Sequence, residues 1–176
     1  MATVDTVYVD PSALRASYVH DHRSRGFCGW RAKTRGALPV TLFGRAELVN
    51  GIALAMFRKD IGEEAGRAAL ADLAQDFEDG RLFLTDLLWR LALERAADLS
   101  QAHTPRLGTR SLDVLHVASA QVLGCKRFVS YDERQLALAK AAGLRVLRPE
   151  WKRSRGSASA RGFNRAWPGT PGLSWP

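Results

Sequence analysis

Short apolar runs alternate with helix-length stretches along most of this chain, and that alternation narrows the possible folds more than any other feature. Val4–Val9, Leu38–Phe43, Arg81–Leu84, Lys126–Ser130 and Leu144–Leu147 read as strands, rich in β-branched, leucine and aromatic residues. Between them lie helical patterns. In Gly44–Lys59 the residues Leu48, Ile52, Ala55 and Met56 fall on one face, and in Glu63–Phe77 so do Leu70, Leu73, Ala74 and Phe77. Further helices are expected over Ser12–Val19, Asp86–Leu99, Ser111–Leu123 and Asp132–Ala142. His103–Gly108, with its proline and glycine, reads as a loop, and His20–Gly36 as either a second helix or a mobile loop. The strands are too short and too apolar for half-exposed hairpins. The expected fold class is therefore α/β, a central, mostly parallel sheet of short strands flanked by helices on both faces.

Ligands of such sheets bind beyond the carboxyl ends of the strands. Asp10 and Asp132 fall there. Asp10 follows the first strand and suits either a turn or helix cap or a ligand position. Glu47 lies near the start of a helix whose apolar stripe it does not share, where the helix dipole favours an acid. Asp113, in RSLDVLHVASAQVL, stands beside a buried surface and needs a partner, because burying an unpaired carboxylate is costly. Asp132 precedes LALAKAAGL with Gln135 three residues on, the pattern of a capping box, and Gly143 closes that helix. Taken together, several carboxylates at one sheet edge would repel one another unless a divalent cation neutralised them, and oxygen-only ligands suit Mg²⁺ or Mn²⁺. Spacing alone does not show that the four converge.

At 176 residues the chain can bury one substantial core, and 46% hydrophobic with 25% charged residues is ordinary for a globular protein. No apolar run reaches the roughly 18 residues of a membrane span. MATVDTVYVD lacks the basic start and long apolar segment of a signal peptide, so a cytoplasmic protein without membrane attachment is expected. Cys28 and Cys125 form no CxxC pair, and no Cys/His cluster has zinc-site spacing. No Gly-rich phosphate loop is present; Gly26-Phe27-Cys28-Gly29 lacks the required spacing. Lys152, Arg153, Arg155, Arg161 and Arg165 supply five of the net +8, in a segment with no acid that also holds Trp151, Trp167 and Trp175. Residues 1–150 thus form the expected domain. Residues 151–176 are expected to be a disordered basic tail or, failing that, a strap docked on the domain or a nucleic-acid arm.

VYVDPSAL, GRAELVN, RSLDVLHVASA and FVSYDERQLALAKAAGLRV resemble, in order, the signature segments of the PIN-domain ribonucleases, and most closely those of the VapC-type toxins of bacterial toxin–antitoxin pairs. The resemblance spans about residues 4–148. It maps the family's acids onto Asp10, Glu47, Asp113 and Asp132, with Ser12 and Ser130 beside the first and last and His116 and Ala118 in the third segment. Pro11 stands where a small polar residue is commoner, His20–Gly36 is unusually basic, and the tail has no counterpart in the family domain. The resemblance implies a PIN-like fold and a metal-dependent endoribonuclease, a homodimer held in check by a small antitoxin. Asp10 and Asp113 would be principal ligands of Mg²⁺ or Mn²⁺, and Glu47 and Asp132 would complete the pocket. Cleavage of RNA would leave a 5′-phosphate and a 3′-hydroxyl. Ser12 and Ser130 would orient ligands or water, and Arg110 would hold a phosphate or lie free on the surface. A groove between the two apolar helices, Gly44–Lys59 and Glu63–Phe77, is the expected antitoxin seat. Two other readings share these residues: a related metal-dependent DNA nuclease and a PIN-like RNA binder without catalysis. A receiver domain would need a phosphoacceptor aspartate and a late lysine that the chain does not offer.

Overall fold

The computed structural model describes residues 6–150. The start of the first expected strand and the whole basic tail lie outside the described residues. The elements run β1 (Val7–Val9), α1 (Pro11–Leu14), a 3-10 turn (Arg15–Ser17), α2 (Ser24–Lys33), β2 (Leu38–Thr41), α3 (Leu42–Phe57), α4 (Glu63–Glu78), β3 (Leu82–Thr85), α5 (Trp89–Leu107), α6 (Ser111–Val122), β4 (Arg127–Val129), α7 (Glu133–Ala141) and β5 (Arg145–Leu147).

All strand pairs are parallel. One ladder has the order β1-β4-β5 and the other pairs β2 with β3. The ladders meet where β1 and β2 approach each other, so β1 is central and β3 and β5 lie at the edges. Burial follows that order. β1 is buried throughout, whereas Phe83, Leu84 and Val146 on the edge strands are exposed. The two-residue period of β1 sends Val7 and Val9 into one core, with Leu14, Phe27, Leu48, Ile52 and Leu73. Tyr8 points into the other, with Val114, Val117, Phe128 and Leu138. Helices α1–α4 thus cover one face and α5–α7 the other, as the apolar patterning of the strands requires.

Several boundaries differ from the sequence reading. His20–Gly36 takes the helical one of its two expected readings, with a ten-residue helix, α2, although its mean hydropathy is low. Its Phe27 is fully buried and its Arg31 binds three backbone carbonyls, those of Thr34, Gly36 and Arg81. The helix expected over Ser12–Val19 is one α turn followed by a 3-10 turn. The expected loop His103–Gly108 is instead the end of α5. Pro105 sits in the last turn, and Gly108, in the left-handed region at φ +60°, closes the helix by donating its N–H to Thr104. The expected groove between α3 and α4 is also filled. Leu48, Ile52 and Ala55 of α3 are buried in one cluster with Ala69 and Leu73 of α4, against which Leu70 and Phe77 pack.

Candidate active site

β1 delivers Asp10 to the middle of the carboxyl edge. Its backbone N–H is bonded to Val129 O at 2.9 Å, and the chain then turns directly into α1 with Pro11 in the first turn. α3 brings Glu47 from one helical layer, α6 brings Asp113 from the other, and the turn after β4 brings Asp132. These four carboxylates line one open cleft of about 530 Å³, together with Ser12, Arg15, Gly51, Arg110, His116 and Gln135. It sits at the reversal of strand order, with β2 on one side of β1 and β4 on the other, where open parallel sheets form their crevices. A second cleft of about 310 Å³ adjoins it through Ser12 and Asp132, and Arg23 and Arg134 contribute to its walls.

The carboxylates are held by different means. Asp10 is 2% exposed and accepts a hydrogen bond from the Ser12 hydroxyl. Burial pushes its carboxyl above the usual range, and the Glu47 carboxylate adds to this; His116, Ser12 and Gln135 oppose it. Asp113 accepts from Arg110 N at 3.0 Å and from Gln135 Nε2 at 3.1 Å, which provides the partners that its position demands. Asp132 caps α7 through Oδ1, accepting from Arg134 N at 2.8 Å and Gln135 N at 3.1 Å. The expected capping box is not completed. Gln135 turns its amide away from the cap, accepting from Ser130 Oγ at 2.9 Å and donating to Asp113. Ser130 Oγ in turn receives the Asp132 N–H at 3.0 Å. Ser130, fully buried, therefore stands behind the cleft and fixes Gln135 rather than facing it.

His116 and Gln135 are the wall residues that the acid pattern overlooked. His116, 2% exposed, places Nδ1 2.8 Å from the Tyr8 hydroxyl and Nε2 2.6 Å from Glu47 Oε2, with Asp10 Oδ1 at 3.9 Å. Burial alone would lower its pKa, but the Glu47, Asp10 and Asp113 carboxylates together outweigh burial and hold it above the ordinary value. Phe43 stacks on the ring at 5.5 Å between centroids. The signal was present in the sequence: His116 is one turn after Asp113, on the same helix face.

Glu47 Oε2 is buried and has no aligned hydrogen-bond donor, even though His116 Nε2 lies so near. That oxygen, set against His116 and beside the buried Asp10, belongs with the other carboxylates of the cleft to an all-oxygen donor set of the kind that suits a hard divalent cation. Among the described residues, however, no three His, Cys, Asp or Glu side chains stand close enough to enclose one ion. The donors fit such a cation in chemistry and would need side-chain movement to surround it.

The chain is 30% identical over 145 residues to Ribonuclease VapC46 of Mycobacterium tuberculosis, covering 81% of this chain and 97% of that protein. Two solved structures share its fold at 14% identity. One is FitAcB from Neisseria gonorrhoeae (TM-score 0.56, covering 82% of this chain and 98% of that one), and the other is FitAB bound to an IR36 DNA fragment (TM-score 0.59, 85% and 100%). No family model matches the chain.

Proposed function

The chain belongs to the VapC family of PIN-domain ribonucleases, and from that membership we propose that it is a Mg²⁺- or Mn²⁺-dependent endoribonuclease, the toxin of a toxin–antitoxin pair. The observation that carries the reading is the meeting of Asp10, Glu47, Asp113 and Asp132, from four separate segments, around one cleft. These carboxylates would hold the divalent ion, Asp10 and Asp113 as principal ligands. When bound, the ion supplies charge against the phosphate and lowers the pKa of a water.

The protein's own groups do the rest. Ser12 and Gln135 orient Asp10 and Asp113 by donating hydrogen bonds, so that the carboxylates present fixed lone pairs to the cleft. His116 faces Tyr8 through Nδ1 and Glu47 through Nε2. The neighbouring carboxylates favour its charged form, which would partly offset the charge of the buried Asp10 and the half-buried Glu47 until an ion enters. Arg110 stands at the rim, where it can hold a phosphate. Arg23 and Arg134 in the adjoining cleft, beside Asp132 and Glu133, offer phosphate contacts to a strand leaving the acids.

Exposed Leu88 and Leu91, three residues apart at the start of α5, support a homodimer or an antitoxin seat in place of the filled α3–α4 groove. Among the described residues no helix is long and apolar enough to cross a membrane.

The test is cleavage of a structured RNA such as tRNA by the purified chain. Cutting should require Mg²⁺ or Mn²⁺ and stop on chelation. Asp10→Asn or Asp113→Asn should slow it about 100-fold or more, the scale for removing one preorganised charged group. Cleavage that survives chelation would refute the metal-dependent reading. Tight RNA binding without cleavage would favour the non-catalytic one, and preference for DNA the related nuclease.

A further inference from the structure

We propose that Arg15, laid across Gly51 of α3, forms a phosphate subsite on one wall of the acidic cleft. The inference rests on the ribonuclease reading and goes beyond it by assigning a residue outside the four acids and their neighbours.

Arg15 opens the 3-10 turn three residues after Ser12, on the segment that leaves Asp10, so its position is tied to that of the acids. It is half-buried and lines the same cleft. The side chain reaches the cleft by crossing α3 at Gly51. A Cβ on that glycine would stand 3.0 Å from Arg15 Cδ, tighter than ordinary packing, and 3.8 Å from Nε, an ordinary contact, so the stem would have to shift by a few tenths of an ångström. Gly51 lies inside a sixteen-residue helix. Its backbone does not require glycine, because its φ is not among the positive ones. A glycine there weakens the helix, and what it provides in return is room for the arginine stem.

The head group is also uncommitted. Among the described residues no hydrogen bond or ion pair engages the Arg15 guanidinium, although four carboxylates line the cleft with it. A guanidinium held apart from nearby acids keeps its donors available, and its planar fork matches two non-bridging oxygens of a phosphodiester. An acidic cleft also repels a polyanion, so an RNA strand entering it gains from a fixed cation on the wall. Arg110, by contrast, is exposed at the rim.

The experiment uses the full chain and a fluorescently labelled single-stranded RNA, with binding measured in EDTA and cleavage in Mn²⁺. Arg15→Ala should weaken binding about tenfold, as expected for losing a charged hydrogen-bonding group. It should also flatten the slope of log K against log salt by about one phosphate contact. Arg15→Lys should recover part of the affinity. Gly51→Ala should reproduce part of the loss without lowering the melting temperature, because alanine favours the helix while its methyl displaces the stem. In the double variant the two losses should not add, since both act through one side chain. Gly51→Ala adding its full loss to that of Arg15→Ala would overturn the proposal. So would a wild-type chain that cuts RNA while Arg15→Ala binds with the same affinity and salt slope. A wild-type chain that neither binds nor cuts RNA would instead overturn the ribonuclease reading, and the subsite with it.

Discussion

Asp10 shows how a residue suited to a cap becomes something else through its surroundings. Its side chain makes no cap bond to α1. It is instead buried against His116, Ser12 and Gln135 with its carboxyl held above the usual range, chiefly by desolvation. A carboxyl whose folded-state pKa is raised costs stability when ionised. That penalty is absent below the unfolded-state value, grows as pH rises through the window up to the folded-state value, and is fully present above it. Asp10→Asn should therefore raise the melting temperature at neutral pH in chelator and flatten the loss of stability with rising pH. Calorimetry across that range checks this, and an unchanged or lowered melting temperature would contradict the assigned cause. The variant should be inactive in the RNA assay, so stability and activity move in opposite directions. Such a trade is expected where charge is concentrated for a ligand.

At the scale of elements, α3 is the mount for Glu47, and its first turn is the part that patterning misread. The apolar run Leu38–Phe43 looks like one strand, yet the strand ends at Thr41, whose hydroxyl accepts from Gly44 N at 2.9 Å and starts the helix at Leu42. A buried N-cap threonine is typically worth about 1 kcal/mol. Thr41→Ala should cost stability of that order, and because the first turn also carries Phe43 against His116, turnover should fall too. Urea unfolding and single-turnover cleavage measure the two effects; wild-type values in both would detach Thr41 from the site. The continuation of α5 past Leu99 has the same lesson. Local chemistry in His103–Gly108 favours a turn, but Gly108 ends the helix in the left-handed region, the Thr104 and Thr109 hydroxyls lie 2.7 Å apart, and Pro105 is tolerated in the final turn.

For the whole molecule, charge and topology act separately. Residues 151–176 carry five of the +8 charges and none of the four acids. Truncation after Glu150 should leave turnover at saturating RNA unchanged. It should weaken binding at low salt, and the two chains should converge at high salt, where phosphate contacts are screened. A titration of affinity against salt decides this; identical slopes would leave the tail without a part in RNA capture. The body of the protein owes its site to chain order. Periodicity and strand composition determined that the chain builds a covered parallel sheet, because short apolar strands between amphipathic helices have few other ways to bury both faces. The ordered acidic segments also picked out Asp10, Glu47, Asp113 and Asp132 from the chain's eighteen acids. Their meeting was decided by the tertiary structure, because strand order cannot be read from local pattern and only the reversal around β1 brings α3, α6 and the turn after β4 to one edge. The roles of His116, Gln135 and Arg15 were decided there too. A buried histidine, a glutamine three residues after a cap and an arginine in a short helix each have an ordinary local reading. Long-range packing alone aims them into the cleft, where Tyr8, Ser130 and the missing side chain of Gly51 give each its place.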